Sequence, residues 1–290
     1  MATTKFKQEL WSKEIMMELK TLTGLRTHSN AKYTGEIKGG NTLHITSIVK
    51  PTVGDYVQGT DINMNPVAGT DMTLVIDHQK YVTQVFDDVD RAQSIDGVME
   101  AATKEMAQVL HEEADKAVAE ALKDAIENGV TRTKEDNTTE TLTVKQETSA
   151  SAPTKANIMG RIEDGTVALY ENNVSTTTPL YGEVSPKIYS LIRQNLTELY
   201  TNNVEMAKKG IVGRYDNVLI TIENLLPVND TTRYNIIRTE RAVAFAGQVD
   251  KVEAGRIEKQ FADYVKALYV FGTKVVRPKE IYAIKETIAA

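Results

Sequence analysis

Residues 94–129 read SIDGVMEAATKEMAQVLHEEADKAVAEALKDAIENG and form the most regular pattern in the chain. Apolar residues recur at helical steps from Val98 to Ala125, and Glu and Lys alternate on the opposite face. Ser94 is a suitable N-cap, and Asn128-Gly129 is a typical C-terminal signal. The stretch predicts a helix of some 30 residues, a rod about 45 Å long, and its alanine-rich side allows other elements to pack closely.

Two alternating segments, at 41–50 and 72–86, precede this helix and predict β-strands. The stretch between them is rich in proline and glycine, so we expect a long hairpin. Both strands have a polar face, which leaves little core beneath them. An isolated hairpin is marginal in water and needs another surface, and another copy of the chain is one candidate for it.

The N-terminal residues 5–22 carry the apolar stripe of a short amphipathic helix. A polar run from Thr27 to Gly40 follows and predicts a loose tether. Such a helix docks either on the core of its own chain or on a neighbouring subunit, and the sequence leaves both alternatives open.

The rest of the chain mixes helices and strands without regular alternation, which predicts an α+β fold. Residues 130–155 are rich in threonine and predict an exposed loop or a small hairpin insertion. The other predicted elements are helices at 155–171, 185–199 and 240–246, strands at 179–184 and 215–223, extended segments at 248–258 and 263–277, and a short helix from Pro278.

Composition excludes several classes of protein. The chain has 290 residues, of which 41% are hydrophobic, a net charge of −6 and no cysteine. This length suggests about two domains. Disulfides, thiol nucleophiles and cysteine-ligated zinc are excluded, and the acidic balance is unlike that of a protein that grips nucleic acid. No signal peptide and no apolar stretch of about 20 residues is visible, so we expect a soluble protein without a membrane role.

Three acidic motifs were tested as metal sites. His111-Glu112-Glu113-Ala114-Asp115 lacks the second histidine of a zinc-protease signature, so a solvated helix face explains it better. The stretch from Asp61 to Met72 begins like a calcium loop but has Pro66 and Met72 where glycine and glutamate belong. The cluster of Asp87, Asp88 and Asp90 suits the N-terminus of the long helix.

No motif for catalysis or cofactor binding is present either. Phosphate loops, dinucleotide fingerprints and serine nucleophile elbows are absent, and His28, His44, His78 and His111 have no nucleophile context. The glycine pair in 210–213 is too short to indicate a ligand, and Lys208-Lys209 with Arg214 indicates a solvated basic patch. We therefore predict no catalytic, cofactor-binding or metal residues, no cofactor and no enzymatic activity.

The order of these parts resembles the tailed-phage major capsid proteins with the Hong Kong ninety-seven-type fold. The resemblance covers essentially the whole chain and is carried by six segments: 1–12, 35–56, 74–90, 210–218, 225–227 and 242–278. It implies an N-terminal arm at 1–35 and an extended E-loop hairpin at 36–90. It also implies a peripheral domain with a long spine helix at 91–150 and 233–290, and an axial domain at 151–232.

This resemblance implies a structural protein that self-assembles, as pentamers and hexamers, into the icosahedral head shell around double-stranded phage DNA. Expected partners are a scaffolding protein, a portal and a decoration protein, with assembly in the host cytoplasm and final localisation in the virion. An acidic chain suits a shell that contains DNA without gripping it. Two alternatives stay open: an encapsulin-like nanocompartment, and a metal-dependent hydrolase using His111 and Asp115.

Some members of the family join their chains by an isopeptide bond from an E-loop lysine. No lysine lies between Lys50 and Lys80, so we predict no such cross-link. The arm begins at residue 1, which implies a separate scaffolding protein, a removed segment or none.

Overall fold

The computed structural model describes residues 24–34, 41–51, 53–59, 61, 64, 67–88, 98–148, 152–198 and 214–288. Side chains at 98–100, 196–198 and 248–250 are not included in this description. The helix predicted at 5–22, the Ser94 cap, Lys208-Lys209 and the 210–213 motif lie outside the described residues. Asp90 and Pro66 also lie outside them.

The described residues form an α+β fold, as predicted from the mixed pattern. Its helices are α1 (Val98–Glu127), α2 (Ile158–Glu171) and α3 (Pro186–Glu198). Its strands are β1 (Thr42–Ile48), β2 (Gly69–Val75), β3 (His78–Asp87), β4 (Val130–Lys134), β5 (Thr139–Leu142), β6 (Lys145–Gln146), β7 (Leu180–Val184), β8 (Arg214–Tyr215), β9 (Val218–Ile222), β10 (Val228–Asn229), β11 (Thr232–Arg238), β12 (Val243–Arg256), β13 (Ala262–Val275) and β14 (Ile281–Thr287).

The long helix α1 has 30 residues and ends at the predicted signal, where Gly129 adopts φ +74°. Its alanine-rich stripe is buried around Leu122, which is fully enclosed, and it packs mainly on β13. Val109 was predicted to belong to this stripe but is half exposed, because the buried arc of the helix passes through Met106 and Leu110 instead.

A three-stranded sheet in the order β12-β13-β3 lies under α1. β12 and β13 are 14 residues each and pair along their full length, with one register shift between Gly247 and Val249. Gly272 was predicted to be a bulge or bend, but it pairs in register with Ala246. A Cβ at Gly272 would lie 2.3 Å from the carbonyl oxygen of Val75, so close backbone approach explains this glycine.

The predicted hairpin is present as β1 and β2, which pair antiparallel from Thr42 with Val75 to Ile48 with Gly69. The single strand predicted at 72–86 is divided at Ile76-Asp77, because β2 and β3 belong to different sheets. The base of the hairpin also has more core than predicted, since Leu74 is fully buried and Met72 nearly so.

The threonine-rich segment forms the hairpin β4-β5, and it extends the β1-β2 sheet through a short pairing of β2 with β4. It is therefore part of a four-stranded sheet in the order β1-β2-β4-β5, rather than an isolated insertion. The hairpin predicted within 130–155 is confirmed, whereas its pairing with β2 was not predicted.

A seven-stranded sheet combines the later strands, with the path β6-β14-β11-β7-β9-β8 and β10 at its side. Helices α2 and α3 cover this sheet, and their apolar side chains form a core cluster with Leu180, Val218 and Ile284. A Cβ at Gly165 of α2 would meet the Ile237 and Tyr282 side chains at 2.8 and 2.9 Å, so this glycine allows close helix packing.

Two C-terminal predictions were wrong. Of the helix expected at 240–246, only a 3₁₀ turn at Glu240–Ala242 is present, since residues from Val243 to Ala246 form a buried strand. A continuous apolar run fits both structures, so periodicity alone does not separate them. The strand β14 was not predicted, although the short helix before it is present as a turn at Pro278–Glu280.

Candidate assembly surfaces and the anchored N-terminal segment

Arg238 and Glu183 form a fully buried ion pair in the middle of the seven-stranded sheet. Glu183 lies on β7 and Arg238 on the neighbouring strand β11, where Arg238 pairs with Tyr181. The guanidinium contacts the carboxylate twice, at 2.6 Å from Nη2 to Oε1 and at 2.9 Å from Nε to Oε2. Such a double contact fixes the geometry as well as the charge balance.

The remaining N–H groups of Arg238 hold the N-terminal segment, residues 24–30. Nη2 donates to the Leu25 carbonyl and Nη1 to the His28 carbonyl, each at 2.7 Å. His28 also lies 3.1 Å from Glu183 and stacks on Tyr181 with a ring separation of 4.5 Å. The loose tether predicted from Thr27 onward is therefore wrong for residues 27–30, because buried charges bind this backbone.

Two further carboxylates accept backbone N–H groups of the same segment. Glu223 accepts from Gly24 and Asp115 accepts from Arg26, each at 2.7 Å. At the end of the segment, Asn30 bridges to β12 through its N–H and carbonyl, which pair with Val243 and Phe245. The N-terminal segment is thus anchored at Gly24, Arg26, His28 and Asn30 in turn.

The charges in this cluster have opposite effects on the two glutamates. Burial raises the pKa of Glu183, but the Arg238 charge and the hydrogen bonds from His28 and Arg238 outweigh it, so its pKa lies below the ordinary value. Burial and the negative charge of Glu183 raise the pKa of Glu223 to about 8, with Asp115 adding to the effect. Glu223 is therefore mostly protonated at neutral pH.

Sequence reasoning did not single out Glu183, Glu223 or Arg238. The signal was present, because Glu183 and Arg238 each interrupt or end an apolar strand, in LYGEV and YNIIR. Charged residues at such positions are rarely buried unless they are paired. Two charges of opposite sign within predicted apolar strands therefore indicate a possible buried ion pair.

The residues that the sequence analysis considered as metal ligands do not form a shared site in the structure. His111 contacts the Tyr269 ring, and the Asp115 carboxylate is buried against Arg26, so the two do not form a shared ligand set. Asp88 pairs with Arg256 on the β12-β13 hairpin. Within the described residues, no group of three histidine or acidic side chains could hold a metal ion.

A second feature is the exposed apolar end of the β1-β2 hairpin. Val53 and Met64 are 96% and 91% exposed, and Tyr56 and Val57 are also mostly exposed. We call these four residues the tip surface. Four large apolar side chains exposed on one loop are typical of a contact site.

The outer face of the β12-β13-β3 sheet exposes apolar side chains as well. Tyr81 is 77% exposed and lies opposite Leu268, and the half-exposed Val85 lies opposite Tyr264. We call Tyr81, Val85 and Leu268 the sheet surface. None of the described helices covers it, because α1 packs on the other face with Val265 and Ala267.

No described helix is long and apolar enough to cross a membrane.

Several solved structures with the same fold come from phages. No family profile and no curated protein matches the chain. A structure from Mycobacterium phage Che8 is 27% identical, with a TM-score of 0.79 and 98% of each chain covered. The capsid of cyanophage P-SCSP1u is 17% identical, with a TM-score of 0.78 and coverage of 98% and 94%. The capsid of Ralstonia phage GP4 is 13% identical, with a TM-score of 0.69 and coverage of 100% and 98%.

These matches extend over nearly the whole of both chains, so they concern the complete fold and not one shared motif. The resemblance stated from the sequence is therefore confirmed: the chain has the Hong Kong ninety-seven-type fold of tailed-phage major capsid proteins.

Proposed function

We propose that many copies of this chain assemble into the icosahedral head shell of a tailed phage and enclose its double-stranded DNA. The observation that carries this proposal is the match to a phage capsid over 98% of this chain and 94% of the other. The proposal includes a structural role without catalysis. The virion is then the final localisation, after assembly in the host cytoplasm.

The two exposed surfaces support assembly. In this proposal the β1-β2 hairpin is the E-loop, and its tip surface lies on a neighbouring copy. Burial of four large apolar side chains in each copy contributes several kcal/mol, at about 1.5–3 kcal/mol per side chain. Pentamers and hexamers repeat this contact, with residues 1–35 as the arm, 91–150 and 233–290 as the peripheral domain and 151–232 as the axial domain.

The proposal includes a scaffolding protein, a portal and a decoration protein as partners. DNA is enclosed without sequence-specific binding, which agrees with the net charge of −6.

Particle analysis of cells that produce the phage tests the function. Particles that contain this chain as their main protein should protect double-stranded DNA from added nuclease. Closed shells that contain enzymes and no protected DNA would indicate a nanocompartment instead. A monomer that binds a divalent metal would contradict both shell functions and favour the hydrolase.

A further inference from the structure

A cavity of about 450 Å³ opens beside the β1-β2 hairpin, where it adjoins the N-terminal segment at Asn30. Its walls come from the residues that follow Asn30, from β1 between Ile45 and Ile48, and from the turn that precedes β14. Segments far apart in the sequence therefore meet around one space.

Positively charged residues outnumber acidic ones in the lining of this cavity. Five of them reach it: Lys32, Arg132, Arg241, Arg277 and Lys279. In a chain whose net charge is −6, this is a local concentration of the opposite sign.

Carboxylates balance only part of this charge. Glu280 contacts Arg277 at 2.9 Å and Arg241 at 3.7 Å, and Glu140 contacts Arg132 at 2.8 Å. Among the described residues at this cavity, five cations meet two carboxylates, which is an excess of three positive charges. Glu140, whose pKa is lowered chiefly by its hydrogen bond from Arg132, is also attracted by Lys279, but within the described part of the chain neither Lys279 nor Lys32 makes a direct ion pair.

The excess of positive charge indicates the chemistry of a ligand. Guanidinium groups bind phosphate through two parallel hydrogen bonds, and lysine binds it as a point charge. A single carboxylate brings one negative charge, whereas a phosphate group brings up to about two at neutral pH and a nucleic acid brings one for every phosphate. We propose that this cavity is a phosphate-binding site.

Free phosphate and the phosphates of a nucleic acid share this chemistry, so the test uses both. Full-length chain is titrated with inorganic phosphate in a calorimeter and with a short fluorescent DNA duplex at several salt concentrations. The test variant is Lys32→Gln/Lys279→Gln, and the matched control is Lys251→Gln/Lys259→Gln, with the same loss of charge on the distant β12-β13 hairpin. All four lysines are exposed, so we expect every variant to fold.

We expect the test variant to bind phosphate about tenfold more weakly, the effect of losing a charge-assisted hydrogen bond, and the control to bind like the wild type. If DNA is the source, the slope of log affinity against log salt also falls by about two, one for each lysine. Binding of phosphate without binding of the duplex supports free phosphate as the ligand.

Three results would overturn the proposal: no phosphate binding by the wild type, equal losses in both double variants, or binding of a peptide with residues 51–61 in place of phosphate. The peptide carries Asp55 and Asp61 and represents an acidic segment of a second copy. The measurement uses the chain itself, so it gives an answer whether or not shells form, and its failure leaves the capsid proposal intact.

Discussion

Nη2 of Arg238 lies 2.6 Å from Oε1 of Glu183, and both side chains are completely buried. The same arginine donates to the carbonyls of Leu25 and His28. One guanidinium therefore joins strands β7 and β11 to each other and to the N-terminal segment. If that segment continues into an arm that contacts another copy, this cluster fixes the point from which the arm leaves the subunit.

Arg238→Met should destabilise the chain by about 3–5 kcal/mol, because Glu183 is left as a buried carboxylate without its main partner. Unfolding in urea measures the change. The double variant Arg238→Met/Glu183→Gln should recover part of the loss, since the unpaired charge is gone. As a control, Arg256→Met breaks an exposed pair with Asp88 and should leave the midpoint unchanged. Equal midpoints for Arg238→Met and Arg256→Met would show that the buried pair has no special role.

Glu223 should make the stability of the chain depend on pH. Its pKa is about 8 in the folded state against an ordinary value of 4.5, so between these two pH values the folded state keeps a proton that the unfolded state has released. This contribution is complete below the lower value and is lost as the pH rises through the higher one, with a slope of at most about 1.4 kcal/mol per pH unit.

Glu223→Gln keeps a neutral side chain at every pH and removes this dependence. Denaturant unfolding of both proteins from about pH 5.5 to 7.5 should show the wild type losing stability relative to the variant as the pH rises. The difference between the two proteins cancels the titrating groups that do not interact with Glu223. Parallel curves would mean that Glu223 is ionised throughout this range.

Gly272→Ala should lower the thermal midpoint, because the added methyl group would overlap the Val75 carbonyl at 2.3 Å and push β2 away from β13. Overpacking of this kind costs about 1–3 kcal/mol. Gly160→Ala is the matched control: it lies in α2 with open space around it and should be neutral or slightly stabilising. A Gly272→Ala midpoint at or above that of Gly160→Ala would contradict the close approach.

The tip surface should matter for assembly and not for folding. Val53→Ser/Tyr56→Ser/Val57→Ser should retain the wild-type thermal midpoint, because these side chains are exposed in the subunit, but should fail to form shells. The control replaces three other exposed valines, Val109, Val167 and Val228, by serine. Light scattering reports particle mass for both. Shells from the tip variant at wild-type yield would remove the hairpin from the assembly contact.

Mature particles should show no covalent ladder on a denaturing gel. The hairpin has no lysine between Lys50 and Lys80 to form an isopeptide bond. Bands at multiples of the chain mass, resistant to boiling in detergent, would contradict this prediction.

Local patterns predicted most of the elements. The helix α1 and the hairpin β1-β2 have strong signals, and the helix predicted at 185–199 is present as α3, at whose start Ser185 Oγ accepts the Ile188 N–H at 3.3 Å. The errors occur where a short apolar run fits two structures, as at Val243–Ala246, or where a strand such as β14 is specified by its pairing with distant strands. Strand pairing between distant segments leaves little trace in one sequence.

The anchoring cluster illustrates the same limit. Glu183, Glu223 and Arg238 are separated by up to 55 residues, and only the sheet brings them to one place. The sequence shows that each charge stands among apolar neighbours, but not which charges meet. The polar run after Thr27 predicted a loose tether. In the structure, residues from distant parts of the sequence bind the backbone of residues 27–30.

Electron cryomicroscopy of the purified, assembled chain tests the central claim most directly. The account predicts closed icosahedral shells built from rings of five and six copies, with the hairpin tip around Tyr56 in contact with a neighbouring copy. Monomers or small discrete oligomers under every assembly condition, with Tyr56 exposed to solvent, would contradict it.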